Sequence, residues 1–340
     1  MTGHFDRRYV VSHPTIGLPT TSSASSKGVG ARVAICVCTL QRPRMLTDCL
    51  RAIALQAIPH GAWVDVIVVD NESGPNNQAL VQHLSQGYPF PIHYVHEARR
   101  GIPQARNAAL DACVRLGANW IAFTDDDCLV GRRWLSKLMK AARRQRADIV
   151  AGGRRFRTQR GADTSWLLRN LENQETSGQV RRYASTHNVL FSARLIGPGY
   201  DLRFDERLTH GEDTDFFYRA SQRGARLVQS NESVVETLTQ ERCSLRYQVR
   251  HAYYAAVSRI HFHQRHQKSA AIAAKLSARL FVQAPVGALR LICAPVVRLA
   301  SEPAFRMLAL KGILRIAGAV GAAAGLLGYI GNPYRKIDGY

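Results

Sequence analysis

Three consecutive aspartates, Asp125, Asp126 and Asp127, directly follow the apolar run W-I-A-F-T at 120–124. Carboxylates this close repel one another, and they are costly to bury unless a positive charge compensates them. Mg²⁺ or Mn²⁺ is the simplest compensator, because both ions prefer hard oxygen ligands. Asp125 and Asp127 bracket one residue, so a chain that bends out of a strand can direct both at one ion. The alternative is a solvated loop whose acids cap a helix starting near Gly131.

A second acidic pair, Glu212 and Asp213, lies in the segment G-E-D-T-D-F-F. The apolar periodicity from Phe216 predicts a helix that stops at Gly224 and has both acids in its first turn. An acid placed there can act as a general base that removes a proton from a hydroxyl. The alternative is that the two acids only stabilise the positive end of the helix dipole.

Two further polar residues, Thr39 and Asp70, stand where earlier apolar runs end. An acid at a strand end can accept a hydrogen bond from a nucleobase or a ribose hydroxyl. For Asp70 the alternative is a turn, because D-N-E-S-G is good turn chemistry. Neither G-x-G-x-x-G nor G-x-x-x-x-G-K-[ST] occurs, so the sequence supports neither a Rossmann dinucleotide site nor a P-loop.

Alternating strand and helix patterns carry these residues. Short apolar runs that suit buried parallel strands lie at 33–39, 64–69, 91–95 and 119–124. Helical patterns follow at 43–58, at 75–85 and from 101 onward. The alternation predicts an α/β fold with a doubly wound, mostly parallel sheet flanked by helices. Ligands of such sheets bind beyond the carboxyl ends of the strands, so we expect the acids to share one pocket.

Length and charge bound the possible functions. A chain of 340 residues can bury a large core, in one large domain with an appendage or in two domains. Its formal charge of +21 predicts an anionic partner: nucleic acid, acidic lipid or a phosphorylated ligand. The seven cysteines include no C-x-x-C pair, and Cys36 and Cys38 lie on one face of a predicted strand, which predicts core packing and not a zinc site. A reducing compartment fits this cysteine usage. Residues 1–30 lack the apolar stretch of a signal peptide, and we expect them to be disordered.

The C-terminal region, 241–340, differs in composition from 31–240. Residues 244–267 predict a basic helix with interleaved aromatics, which can bind single-stranded nucleic acid, lie on an anionic membrane or pack its tyrosines on the preceding domain. The sixteen residues 316–331 carry no charge but are shorter than the ~20 that span a bilayer. We expect a membrane-associated helical extension with its arginines on the cytoplasmic side. A buried hairpin or an oligomer contact is the alternative.

Five motifs occur in one order along the chain: V-C-T-x-x-R-P, V-V-D-N, G-x-x-x-A-R-N-x-A-L, F-x-D-D-D and G-E-D-x-D-F-F. In this order and spacing they resemble glycosyltransferase family 2, which has the GT-A fold. Within that family, the sequence is most similar to bacterial exopolysaccharide glycosyltransferases of the succinoglycan-biosynthesis type. The resemblance covers roughly 31 to 259. Each motif alone is weak, whereas five together are specific.

The resemblance implies a donor site for a nucleotide sugar, with a UDP-sugar expected. Thr39 and Asp70 would hold the uracil or another base, and Arg106 would lie near the diphosphate. Asp125 and Asp126 would also contact the nucleotide sugar.

The resemblance also implies a metal site for Mg²⁺ or Mn²⁺. Asp125 and Asp127 match the D-x-D motif that coordinates the metal. Many relatives carry a further ligand, a histidine, shortly after the helix that bears the base. Here the comparable stretch is S-V-V-E-T, so either Glu236 substitutes for that ligand or the contact is absent.

On the acceptor side, Asp213 matches the catalytic base and Glu212 its neighbour that contacts the acceptor. His187 and Asn188, which precede a predicted strand, have two open roles, acceptor contact or structural hydrogen bonding. One base opposite the leaving group predicts inversion at the anomeric carbon. The Q-x-x-R-W motif of polymerising members is missing, so we expect transfer of a single sugar.

The expected partners are a nucleotide sugar, a saccharide or lipid-linked acceptor, and an anionic membrane surface, without nucleic acid. The expected location is the cytoplasmic side of a bacterial inner membrane, as a peripheral or monotopic protein. Two alternatives remain. A nucleic-acid-binding protein would explain the charge but not the acids at the strand ends. An inactive nucleotide-binding module would keep the fold without turnover.

Overall fold

The computed structural model describes residues 30–158, 180–181, 183–266 and 270–329. The segment predicted to be disordered lies outside the described residues, apart from Gly30.

The first half of the chain alternates strands and helices. Its elements are β1 (Ala31–Thr39), α1 (Pro43–Ala54), β2 (Ala62–Asp70), α2 (Gln78–Ser85), β3 (Ile92–His96), α3 (Ile102–Arg115) and β4 (Trp120–Thr124). All four predicted strands and three predicted helices are present. The start of α2 is later than predicted, because residues 71–77 form a turn in which Asn76 and Asn77 donate to the carboxylate of Glu72.

The second half adds longer connections and a second set of strands. Its elements are β5 (Cys128–Leu129), α4 (Trp134–Gln145), β6 (Ile149–Thr158), β7 (Val180–Arg181), β8 (Asn188–Ser192), a 3₁₀ turn (Ala193–Leu195), α5 (Glu212–Gln222) and β9 (Leu227–Leu238). The helix predicted to stop at Gly224 is α5, and Glu212 and Asp213 lie in its first turn as expected.

The nine strands of the described residues belong to one sheet, in the order β3-β2-β1-β4-β8-β6-β9-β5, with β7 also paired to β9. The four strands β3, β2, β1 and β4 are parallel, as predicted. The remainder is mixed, because β8 runs antiparallel between β4 and β6, and β5 and β7 run antiparallel to β9. The parallel strands bring Thr39, Asp70 and the triple aspartate to one edge of the sheet.

Apolar side chains cover both faces of the sheet, which explains why its strands read as continuous apolar runs. On β1, Val33, Ile35 and Val37 pack in the core cluster that α1 and α4 complete. Ala34 and Cys36 point to the other face, where residues of α3 and α5 and a group of phenylalanines form a second cluster. The position of Cys36 agrees with the predicted core role.

Four helices follow the sheet: α6 (Gln240–Cys243), α7 (Leu245–His266), α8 (Ala270–Arg298) and α9 (Glu302–Leu326). Helix α9 packs along both α7 and α8, whereas α7 and α8 touch each other only sparsely. In the described part of the chain, α9 is the one helix long and apolar enough to cross a membrane. Only 22% of its most apolar window is buried, so α9 is not an interior helix of the domain.

Candidate active site

The triple aspartate lies directly beyond β4, and arginines hold two of its three acids. Asp126 accepts hydrogen bonds from the hydroxyl of Thr39 (2.8 Å) and from Nη1 of Arg42 (3.1 Å). The same Nη1 atom lies 3.0 Å from Oδ2 of Asp127. Asp126 and Asp127 are buried, whereas the side chain of Asp125 is 44% exposed. Asp125 is therefore the most accessible of the three acids.

A chain of ion pairs extends from Asp127 to β9. Nη1 of Arg242, on α6, lies 2.8 Å from Oδ2 of Asp127 and 2.8 Å from Oε1 of Glu236. The second oxygen of Glu236 accepts from Nη1 of Arg154 on β6 (2.9 Å). The pairing of Cys128 with Glu236 between β5 and β9 brings these charges together. The ion pairs compensate carboxylates that burial alone would make costly.

The chemistry of the donor atoms fits a hard divalent cation. Ligand atoms of Asp125, Asp127 and Cys128 lie within 4.8 Å of one another. Burial raises the pKa of the Cys128 thiol well above its usual value, so it is a neutral hydrogen-bond donor to Asp127 at neutral pH. Mg²⁺ and Mn²⁺ prefer carboxylate oxygens to a thiol. The fitting ligands are therefore the two predicted carboxylates, Asp125 and Asp127.

Glu236 is not part of this group among the described residues. Both of its carboxylate oxygens are held by arginines, so coordination of a metal by Glu236 would require those ion pairs to break. Of the two sequence alternatives for this position, the arrangement favours the absence of the third ligand.

Arg106, on α3, connects the acids of the D-x-D motif with the acids of α5. Its Nη1 forms a close ion pair with Glu212, and its Nη2 lies 4.0 Å from Oδ1 of Asp125. The guanidinium is buried, so these charges interact in a medium that screens them poorly. Asp125 and Glu212, which are far apart in the sequence, therefore meet at one guanidinium. A pocket shared by all the predicted acids stays a prediction.

Asp213 and Glu212 are adjacent but differ in their proton affinity. Burial by itself raises the pKa of both carboxyls. For Asp213, the charge of Arg106, the hydroxyl of Ser185 (2.6 Å) and the amide of Thr214 (2.6 Å) outweigh burial and hold its pKa below the usual value. For Glu212 burial prevails, and its pKa is raised. Asp213 is therefore the one of the two that is ionised most readily, as a base must be.

His187 and Asn188 are adjacent in sequence but have different surroundings. His187 lies close enough to Asp213, Asp127 and Arg154 to feel their charges, and burial and Arg154 lower its pKa to about 3. Its imidazole is therefore neutral at physiological pH. Asn188 is fully buried. Its side-chain oxygen accepts a hydrogen bond from Nε1 of Trp134, and its side-chain nitrogen donates to the carbonyls of Gly153 and Glu232. These bonds favour the structural alternative for Asn188.

Asp70 is also fully buried. Its carboxylate accepts from the backbone N–H (2.9 Å) and side-chain amide (3.1 Å) of Asn77 and from the hydroxyl of Tyr94 (2.8 Å). These bonds are those of the turn-forming alternative. Thr39, its neighbour in the β1–β2 register, is buried and donates to Asp126. Contact of Asp70 or Thr39 with a nucleobase stays a prediction.

The sequence reasoning missed three functional candidates, Arg42, Arg154 and Arg242. Arg42 could have been identified from the sequence, because it is the arginine of the V-C-T-x-x-R-P motif. Arg154 and Arg242 carry no local signal, because their positions depend on how β6 and β9 pair.

A mixed sheet with a D-x-D motif beyond β4 and an acid-bearing helix facing it defines a GT-A glycosyltransferase fold. The mannosyltransferase PcManGT from Pyrobaculum calidifontis, solved with GDP-Man and Mn²⁺, superposes with a TM-score of 0.58 at 19% identity, over 86% of this chain and 87% of that one. S. aureus TarS 1–349 with UDP-GlcNAc gives 0.51 at 14% identity, over 87% and 92%. Against a longer S. aureus TarS structure the TM-score is 0.50, and the chain spans 55% of that protein.

Sequence comparison gives the family within this fold. The model of Glycosyl transferase family 2 matches residues 34–203. The succinoglycan biosynthesis protein ExoM of Rhizobium meliloti (strain 1021) is 34% identical over 218 residues, which are 62% of this chain and 68% of that protein. The chain belongs to glycosyltransferase family 2, as its five motifs predicted.

Proposed function

We propose that this protein transfers one sugar from a nucleotide-sugar donor, a UDP-sugar, to a hydroxyl of a saccharide or lipid-linked acceptor in exopolysaccharide biosynthesis. The observation that carries the proposal is the position of Arg106 between Asp125 of the D-x-D motif and Glu212, the neighbour of Asp213. Arg106 thereby connects acids suited to a metal and phosphates with a helix that carries the proposed base. The similarity to ExoM supports the exopolysaccharide assignment.

On the donor side, Asp125 and Asp127 would hold Mg²⁺ or Mn²⁺, which when bound neutralises charge on the diphosphate leaving group. Arg106 adds a fixed positive charge beside Asp125, where it can stabilise the same developing charge. Asp126, held by Thr39 and Arg42, orients its neighbours. PcManGT, which has a similar fold, is solved with GDP-Man and Mn²⁺, and TarS is solved with UDP-GlcNAc. Both complexes support a nucleotide-sugar donor.

On the acceptor side, Asp213 removes the proton of the attacking hydroxyl. The hydroxyl oxygen forms a bond to the anomeric carbon while the bond from that carbon to the diphosphate oxygen breaks, so the configuration inverts. The proton remains on Asp213, and the nucleoside diphosphate leaves. Glu212 is paired with Arg106, so it holds that cation in place while it borders the acceptor side. Neutral His187 is the proposed further acceptor contact.

We further propose that residues 31–240 form the catalytic domain and that 241–340 associate with the cytoplasmic face of a bacterial inner membrane. The long, mostly unburied α9 supports the association with a membrane. A lipid-linked acceptor is accessible to an enzyme held at that surface.

The proposal is tested with UDP-, GDP- and dTDP-sugars in Mg²⁺ or Mn²⁺, by following nucleotide release and transfer. We expect metal-dependent release with one nucleotide. Binding of UDP without release or transfer would favour the inactive binding module. Salt-dependent binding of DNA with no turnover would favour the nucleic-acid-binding alternative.

A further inference from the structure

A groove runs between the C-terminal helices, apart from the proposed catalytic site. Helices α7 and α8 form its two walls, and α9 forms its floor. Its volume of ≈ 620 Å³ falls in the range of ~300–1,000 Å³ that is common for ligand sites. The proposed transfer reaction assigns no role to this groove.

Four cations line the groove: Arg259 on α7, Arg290 on α8, and Lys311 and Arg315 on α9. The lining contains no acidic side chain. In the part of the chain that the structure describes, none of the four has a carboxylate partner. Four like charges around one space repel one another, and an anion in the groove would relieve that repulsion.

The floor of the groove is open because of one glycine. A Cβ on Gly321 would lie 2.2 Å from the carbonyl oxygen of Tyr253 on α7, and one on Gly312 would lie 2.9 Å from that of Gly287 on α8. These two positions let the helix backbones touch. Gly318 differs, since a Cβ there would meet no atom within 4 Å. The contacting glycines therefore fix the walls to the floor, and Gly318 leaves free space between them.

Apolar side chains on the same helices point into solvent outside the groove. Leu289, Ile292 and Val296 on α8 are 58%, 73% and 69% exposed, and Val320 on α9 is 56% exposed. Exposed apolar faces beside basic residues are typical of helices in a membrane interface. Charges in the middle of such a helix are costly unless they face a polar cavity, and the groove provides one for the cations of α9.

We propose that this groove binds a lipid headgroup that ends in a phosphate monoester, with the acyl chains lying along the exposed apolar faces of α8 and α9. Basic pockets between membrane-associated helices bind anionic headgroups through the same combination of charges. The apolar surroundings distinguish a lipid from a soluble phosphate. A single-stranded nucleic acid is a poorer fit, because no aromatic side chain lines the groove for base stacking.

The full chain is tested by flotation with vesicles of phosphatidylcholine alone, with added phosphatidic acid, and with phosphatidylserine added to equal surface charge. The groove variant is Lys311→Gln with Arg315→Gln. The matched control is Arg298→Gln with Arg306→Gln, which removes the same charge from residues of α8 and α9 that pair with Glu302 outside the groove. We expect the groove variant to lose about tenfold more affinity for phosphatidic acid vesicles than the control.

A second pair of variants leaves the charge unchanged. Gly318→Leu fills the open floor and favours the helix, so it does not threaten folding. Ala323→Leu adds the same side chain at an exposed position of α9. We expect weaker binding to phosphatidic acid vesicles for Gly318→Leu only. Circular dichroism melting of each variant confirms that it is folded.

Three outcomes overturn the proposal: equal losses in the groove and control variants, equal binding to the two anionic vesicles, or displacement of the wild-type protein from vesicles by inorganic pyrophosphate at equal phosphate concentration. The first two would indicate a general basic surface, and the third a soluble phosphate ligand. No sugar donor is present in these measurements, so a failure of the proposed transfer reaction would leave their result unchanged.

Discussion

The edge of the sheet and the C-terminal groove both concentrate basic side chains, but they differ in what those side chains face. At the sheet edge, Arg42, Arg106 and Arg242 each contact carboxylates of the same chain. In the groove, Arg290 and Arg315 face no described carboxylate. The arginines of the sheet edge are neutralised by carboxylates of the same chain, which stabilises the arrangement of the site. The arginines of the groove lack such carboxylates, so an external anion can neutralise them. The basic residues behind the net charge of +21 therefore stand in two different settings, one with carboxylate partners and one without described partners.

The largest expected effect lies at the sheet edge, in Asp213→Asn. Loss of a general base typically lowers turnover by about 10²–10⁴-fold. We expect a loss of kcat in this range, with the affinity for UDP nearly intact, because the proposed mechanism places Asp213 on the acceptor side. Transfer assays and calorimetric titration of UDP measure the two quantities.

The control for this variant is Asp111→Asn, an exposed acid on α3 with a 56% exposed side chain. Equal activity of Asp213→Asn and wild type would remove the assignment of the base.

The next effect compares the two kinds of arginine directly. Arg242→Gln leaves Asp127 and Glu236 without a shared cation, and breaking such a buried pair costs about 3 kcal/mol in the free energy of unfolding. Arg290→Gln leaves no acid unpaired, so its free energy of unfolding should change by less than about 0.5 kcal/mol. Urea unfolding of both variants gives the difference. Similar values would mean that the two regions do not differ as described.

Asp127→Ala tests whether the ion pairs at the sheet edge also serve a metal. It removes one of the two fitting carboxylates and releases Arg42 and Arg242 from their common acid. We expect about a tenfold or greater loss in the Mn²⁺-dependent part of UDP binding, since a single carboxylate holds a divalent cation weakly. Calorimetry with and without Mn²⁺ separates this part. An unchanged metal response would count against the site.

The smallest expected effect concerns Asp65 on β2, which pairs with Arg32 and His93 away from both the sheet edge and the groove. Burial would raise its pKa, but hydrogen bonds from His93 and Arg32 outweigh burial and lower it to about 2. A lowered folded-state pKa contributes stability that is present above the unfolded value near 3.8 and is lost as the pH falls through about 2. Because Arg32 is partly exposed and screened, we expect about 1 kcal/mol.

Asp65→Asn should remove this pH dependence between about pH 4 and 2 and leave the rest of the stability profile in place. Unfolding curves of both proteins across this range measure the effect. A steeper acid response in the variant would contradict the assignment.

The elements that the sequence predicted are those set by local patterns. Continuous apolar runs located β1 to β4, and the periodicity from Phe216 located α5, because burial on both faces of a strand or on one face of a helix leaves a short-range signal. The motifs located Asp125, Asp127 and Asp213 because motif residues stay close in sequence.

The missed features depend on partners that are distant in the chain. The mixed pairing of β6, β8 and β9 carries Arg154 to Glu236, and no local pattern specifies that pairing. In the same way, Gly318 and Gly321 are equivalent in sequence, but only one of them contacts another helix. For Asn188 the sequence left two roles open, because the choice depends on Trp134, a neighbour that only the fold brings close.

The shared guanidinium of Arg242 has an evolutionary consequence. Because it neutralises Asp127 and Glu236 together, neither acid can be replaced without altering the charge balance of the other. A lineage that exchanges Glu236 for a neutral or basic residue leaves Arg242 with one counterion, and selection then favours a compensating change at Arg242 or Arg154. These positions are expected to covary among homologues, although they lie on different strands and helices.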